Sequence, residues 1–367
     1  MNKILITGAT GFIGGAVLAN LAARGEMHRA LLLVRGETVK AALERIRQRL
    51  RGFGLPESQL HELAADQILL GDLVDPSRWE NDGRLGGVSY VIHSAAMASF
   101  GRHDGIWAAN VDGTKALAAI VRARCPLERF VYVGTAMVCG ARAPSPVGED
   151  YAADGEPEDL VEYTASKRAA EAALRTEFGD MPVVIARTSI VVGHSRLGCA
   201  PSGSIFWVFR TALALGAFPC SFDDRIDVVP VDFVAESLLQ LAQKPGLAHD
   251  VYHLSAGASA CSFREIDAAI AAAMGREPLA DYRQMPYEEM VGMQRSFERF
   301  LGQCNRRVML RAIRTYGAFS ALDLVFDNSR LLAEGVARPM PFAAYAGVCA
   351  VTSIGQTIAE QMQADFK

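Results

Sequence analysis

The sequence is short of the features that would announce a function at once. Its seven cysteines, at 125, 139, 199, 220, 261, 304 and 349, are odd in number, scattered and never in a CxxC pair. That excludes a disulfide framework and offers no zinc-ligand spacing. No sign of charge dominates, since 37 basic residues stand against 41 acidic ones, so there is no electrostatic footprint for nucleic acid. Internal repeats and low-complexity linkers are also missing. The apolar run after Lys3 is too short for a secretory leader and ends in glycines rather than at a cleavage site, which makes the cytoplasm the expected address. Residues 339–359 lack charge altogether and reach the length a bilayer requires. Two prolines, Thr352, Ser353 and Gln356 dilute that stretch, so a buried terminal helix or a lid over an oily substrate is expected there, not a transmembrane segment.

What is present is a chain of 367 residues, half of them apolar, long enough to bury a large core. Apolar runs KILIT, ALLLV, QILL, YVIH, RFVYV and PVVIA alternate with helical patterns at Phe12 to Ala23, Val39 to Leu50, and near 103–124 and 162–178. Such alternation predicts an α/β fold, a doubly wound parallel sheet of the Rossmann kind. Beyond Val192 the regularity is lost. A dinucleotide-binding domain over 1–192, with later returns at about 226–255, and a smaller, mostly helical substrate lobe over 193–367 are expected.

The first strand runs into glycines at 8, 11 and 14 and then into a helix. Missing Cβ atoms let a pyrophosphate approach the backbone, and the helix N-terminus favours its charge. About 20 residues on, an acidic residue would hold the ribose of NAD, whereas Arg35 stands there, in LLLVRG. A guanidinium pairs with the 2′-phosphate of NADP, so NADPH is expected over NADH. Asp72, in LLGDL, is placed to face an adenine amino group. Tyr163 and Lys167 are four apart in EYTASKRAAEA and share a helix face. An ammonium there would lower the tyrosine pKa and fit it to donate a proton.

In this order, TGATGFIG, GDL, HSAA, NVDGT, YVGTAMVCG, YTASK and ARTSIVVG resemble the extended short-chain dehydrogenase/reductases. LLLVRGETVKAALERIRQRL, VVPVDFVAESL and, more loosely, VFDNSRLL make the likeness closest to the thioester reductase and fatty acyl-CoA reductase branch. The resemblance implies a catalytic hydroxyl at Thr135, preceded by Gly134 where a serine is more usual, and a bracing asparagine at Asn110. It implies that the cofactor lies against Gly8, Thr10, Gly11, Phe12, Ile13 and Gly14, with Asp72, Leu73, Ser94, Ala95, Ala96 and Lys167 around it. Tyr163 would protonate the oxygen of a carbonyl receiving hydride while Thr135 donates a second hydrogen bond to it.

An acyl thioester, on coenzyme A or a carrier protein, is the expected substrate, reduced to aldehyde or alcohol. Reduction of a free ketone or aldehyde is the alternative. A sugar-nucleotide epimerase or dehydratase fits less well, because Ala136-Met137 follows Thr135 where dehydratases carry Asp-Glu, and Arg35 replaces an acid. A cofactor-binding redox sensor without turnover is a third class, disfavoured by the Thr135, Tyr163, Lys167 set. The apolar segment 202–218 fits either the lining of an acyl channel or plain core, and the arginines at 295, 299, 306, 307, 311 and 314 suit either phosphates of coenzyme A or an acidic carrier, or a solvated helical face. The sequence leaves a homodimer open.

Overall fold

The computed structural model describes residues 2–98, 105–151 and 157–365. Seven strands, β1 (Lys3–Thr7), β2 (Ala30–Val34), β3 (Ile68–Leu70), β4 (Val88–His93), β5 (Arg129–Thr135), β6 (Val183–Thr188) and β7 (Val251–Leu254), form one sheet in the order β7-β6-β5-β4-β1-β2-β3. Every pairing in it is parallel. Both faces are covered, which is why the strands read as unbroken apolar runs. On β1, Ile4 and Ile6 join one hydrophobic cluster and Leu5 the other, the alternation that a pleated strand imposes.

Against the first face pack α1 (Phe12–Ala23), α2 (Val39–Gly52) and a later helix; against the second pack α3 (Gly113–Arg124) and α4 (Glu162–Glu177). A five-residue π-turn at 108–112 leads into α3; of the helical pattern expected near 103–124, residues 103 and 104 lie outside the described residues. Strand order reverses between β1 and β4, and the crevice at the carboxyl ends of strands at such a switch point is where ligands bind in open parallel sheets.

Longer helices further along the chain are α5 (Phe206–Leu215), α6 (Val231–Gln243), α7 (Phe263–Met274), α8 (Arg306–Ser320) and α9 (Phe342–Thr352). Of these, α6 is the later helix that returns to the sheet, beside α1. A separate aromatic cluster gathers Phe206, Phe209, Phe263, Phe297, Phe342 and Tyr345. Of the two readings of 202–218, Trp207 and Phe209 take that of plain core. Trp207 is 1% exposed with its ring edge on Tyr316 at 5.1 Å, and Phe209 stacks between Phe263 and Phe342. The uncharged stretch supplies α9, which lies on α7 so closely that a Cβ on Gly347 would fall 2.6 Å from that of Ala273. No helix of the described residues is long and apolar enough to cross a membrane.

The chain also returns to the sheet edge near 325–332. The buried Asp227 carboxylate accepts from the amides of Ala256, Gly257 and Phe326 at 2.6, 3.3 and 3.0 Å. Asn328 Nδ2 donates to Ser255 O at 2.7 Å. The loosely matching VFDNSRLL stretch therefore closes the end of β7.

Candidate active site

A cleft of about 800 Å³ opens at the switch point, within the range of small-molecule sites. Its floor is the β1–α1 turn. Gly8 has φ +76, and a Cβ there would lie 2.8 Å from Ala95 N and 2.9 Å from Ser94 Oγ; one on Gly14 would lie 2.4 Å from Gly8 O. A Cβ on Gly11 would meet only Gly8 O, at 3.1 Å. Gly11 also N-caps α1 without a side-chain acceptor, and no acid stands in the first turn. The turn is thus a tight backbone cradle that leaves a helix N-terminus to an anion from outside.

Buried threonines and one histidine tie β1 to β4 beneath this turn. Thr7 Oγ1 meets His93 Nδ1 at 2.7 Å, and His93 Nε2 meets Thr114 Oγ1 at 2.9 Å. Burial, helped by the neighbouring Lys167, pushes His93 down to about 3, so it stays neutral and structural. Ser94 Oγ donates to Thr7 O at 2.8 Å and the Ala95 amide to Thr7 Oγ1 at 3.2 Å. These bonds hold the Ser94–Ala96 wall of the cleft.

Every expected cofactor contact, Gly8, Thr10, Gly11, Phe12, Ile13, Gly14, Arg35, Asp72, Leu73, Ser94, Ala95, Ala96 and Lys167, lines this one cleft. Asp72 spends one carboxylate oxygen on the Val74 amide at 3.0 Å, as a turn-forming aspartate does. Two arginines went unnoticed in the sequence. Arg45, on α2, lines the cleft beside Arg35 and donates from Nη1 to its carbonyl at 2.7 Å. Arg49, one turn on, donates to Thr10 O at 3.0 Å and to Pro201 O at 2.9 Å. A Cβ on Gly15 would sit 2.6 Å from its Cγ. For Arg45, its place on the helix that follows Arg35 was the available signal.

The reactive end is set by β5 and α4. Thr135 closes β5, and Tyr163 and Lys167 stand one turn apart on α4; all three line the cleft. Thr135 Oγ1 accepts from the Met137 amide at 3.3 Å. Lys167, 2% exposed, places Nζ 4.1 Å from the centre of the Tyr132 ring, and Tyr132 OH donates to its carbonyl at 3.3 Å. Burial pushes Lys167 down to about 7, opposed by Glu171 one turn further along. Glu171 in turn holds Arg187, Nε to Oε2 at 3.0 Å and Nη2 to Oε1 at 2.5 Å.

The expectation of a lowered tyrosine pKa is corrected. Burial pushes Tyr163 up to about 12, because desolvation penalises the phenolate. Asn110 is the one expected site residue outside the cleft lining. Its Oδ1 accepts from the Met97 amide at 2.7 Å, while Nδ2 donates to Met97 O at 3.1 Å and to Ser166 Oγ at 3.0 Å. It joins the cleft wall after β4 to α4 between Tyr163 and Lys167, and it caps no helix.

Gly134 leaves room for the more usual serine, since a Cβ there would meet nothing closer than Arg187 Cγ at 3.5 Å. On the side opposite the sheet the cleft is finished by Ile190, Val191, Ser204 and Ile205 and by Tyr316 and Phe319 of α8.

Residues 6–272 match an NAD-binding family model described as male sterility protein. Among curated proteins the chain is 26% identical over 306 residues to the non-canonical nonribosomal peptide synthetase FrzA of Cladobotryum sp, covering 79% of this chain but only 29% of that synthetase. Among solved structures it is similar to the terminal R domain of the myxalamid PKS-NRPS biosynthetic pathway (TM-score 0.77, 24% identity, 96% of this chain and 91% of that one). It is similar, too, to a thiolation-reductase di-domain of an archaeal non-ribosomal peptide synthetase (TM-score 0.68, 18% identity, 96% of this chain and 75% of that one).

Proposed function

Because the chain belongs to the male sterility protein family, on the thioester reductase branch of the extended short-chain dehydrogenase/reductases, we propose that it reduces an acyl thioester with NADPH to an aldehyde or alcohol. The observation that carries this reading is the convergence of Thr135, Tyr163 and Lys167 with the glycine cradle on one cleft. The turn, too tight for a Cβ at Gly8 or Gly14, leads into a helix N-terminus with no side-chain cap and no acid in its first turn, which fits a pyrophosphate. Arg35 and Arg45, neither paired with a carboxylate among the described residues, fit a 2′-phosphate. A bound NADPH supplies the hydride.

Tyr163, a neutral phenol at any physiological pH, donates its proton to the carbonyl oxygen as negative charge develops there. Thr135 donates a second hydrogen bond to that oxygen. Lys167 orients the cofactor ribose and, in its protonated fraction, supports the tyrosine as its proton leaves. The carbonyl of a thioester becomes a hemithioacetal, whose C–S bond then breaks to release thiol and aldehyde. Apart from the returns to the sheet at about 226–255, residues 193–367 form the substrate side, with Ile205, Tyr316 and Phe319 against the acyl group. Since the relatives named here carry the reductase beside a thiolation domain in one case, an acyl group delivered on a carrier protein is favoured over free coenzyme A.

The test is NADPH oxidation against acyl-carrier, acyl-CoA, aldehyde and ketone substrates, with products identified by mass spectrometry. Aldehyde or alcohol from thioesters bears the reading out; turnover of free ketones alone replaces it with the simpler reductase.

A further inference from the structure

Helix α8 has two ends with different company. Its last turns contribute Tyr316 and Phe319 to the cleft, while its first turns point arginines at solvent. Between 295 and 314 there are six arginines and one glutamate, in a chain whose formal charge is −4. Glu298 is spent on Arg306 at 2.9 Å, and Arg314 lies over the Tyr287 ring at 5.9 Å. Arg295, Arg299, Arg307 and Arg311 make no ion pair with any described residue, although Arg299 leans on the Phe300 ring at 5.3 Å.

Arg307 and Arg311 are four apart, a like-charge spacing that costs a helix a few tenths of a kcal/mol and that the fold does nothing to relieve. Two apolar side chains stand among these charges, Phe300 at 41% and Val308 at 38% exposure. Exposed arginine mixed with an aromatic is the chemistry of a protein interface; nucleic acid would call for a larger basic field and has no use for Val308.

We propose that the face formed by Arg299, Phe300, Arg307, Val308 and Arg311 docks an acidic carrier domain that presents its acyl thioester to the cleft. This rests on the thioester reading above. Charge complementarity sets the occupant: four arginines without an ion pair among the described residues call for an acidic surface. Geometry supports it too. Phe319 lies about 18 Å along the axis from Arg307, at roughly 1.5 Å per residue, so one rigid helix runs from the docking face to the substrate end of the cleft. A long prosthetic arm would follow it.

The double variant Arg307→Glu/Arg311→Glu and its neutral counterpart Arg307→Gln/Arg311→Gln change exposed groups only, and NADPH binding reports that each is folded. The probes are a panel of purified acidic acyl carrier proteins, an N-acetylcysteamine thioester carrying the same acyl chain, and a single-stranded DNA of similar charge. Carrier binding is read by fluorescence anisotropy at low and high salt, and kcat/KM is read with both thioesters. The expected result is carrier binding that weakens with salt, with kcat/KM on acyl-carrier down about tenfold or more in the charge-reversed variant and less in the neutral one, while the N-acetylcysteamine thioester is turned over unchanged. Loss on both substrates, preference for DNA, or no arginine-dependent binding to any carrier overturns the docking face. If no thioester is reduced, the functional reading fails separately, and the binding arm still decides the surface.

Discussion

The floor of the cleft is made of backbone, and its far wall is made of side chains. At the β1–α1 turn the chain folds so tightly that a single added Cβ at Gly14 would collide with Gly8 O at 2.4 Å, while one at Gly11 would meet only Gly8 O at 3.1 Å. Across the cleft, Ile205, Tyr316 and Phe319 offer apolar groups continuous with the buried cluster that holds Phe206, Phe209 and Ile313. A backbone cradle has one solution for a pyrophosphate, whereas a side-chain wall can be recut residue by residue for a different acyl group. The first half fixes what binds, and the second is free to choose what is transformed.

The largest effect should come from the hydroxyl that joins the two halves. Tyr163→Phe removes one oxygen from the reactive end and leaves the cradle intact, so kcat should fall by about 10² to 10⁴ while the NADPH dissociation constant is unchanged. Stopped-flow turnover beside a cofactor titration checks it; near-normal kcat would remove Tyr163 from the chemistry. Next, Gly14→Ala should destabilise the protein by roughly 1–3 kcal/mol through overpacking and weaken NADPH binding. Gly134→Ser, where a Cβ meets only ordinary contacts, should stay within about 0.5 kcal/mol. Thermal melts of the two variants sharpen the contrast between a filled cradle and a tolerant wall.

Arg35→Ala should then cost NADPH, and not NADH, roughly tenfold to a hundredfold in affinity, the worth of about 1.5–3 kcal/mol for a charge-assisted pair. Equal affinities in the unaltered protein would contradict the assignment. The smallest effect is a pH limb. Lys167, pushed down to about 7 by burial, is charged below that pH and neutral above it, so kcat/KM, which reports the free enzyme, should decline as pH rises through about 7. In the complex the cofactor phosphates favour the ammonium, and the limb in kcat should move to higher pH.

The two halves were also unequally legible. The glycines, Arg35, Tyr163 and Lys167 belong to short local patterns whose spacing carries geometric meaning, Thr135 was legible only through the family resemblance, and one cleft gathers them all. Arg49 was not legible, because its partners Thr10 and Pro201 are 39 and 152 residues away. Trp207 and Phe209 stayed ambiguous for a different reason. An apolar helix reads the same whether it lines a channel or fills a core, and only the packing of Phe263, Phe342 and Tyr316 around it decides. The tyrosine pKa failed on burial, a property no local spacing encodes.

The account stands on hydride leaving NADPH for good and arriving on the substrate carbonyl. The direct test is a turnover with NADPH deuterated at the transferable position of the nicotinamide and an acyl thioester, followed by mass spectrometry of the product. Deuterium on the former thioester carbon of the aldehyde or alcohol, one per NADPH consumed, is the predicted result. A product without deuterium, or a cofactor that returns to its starting oxidation state after each cycle, would contradict it.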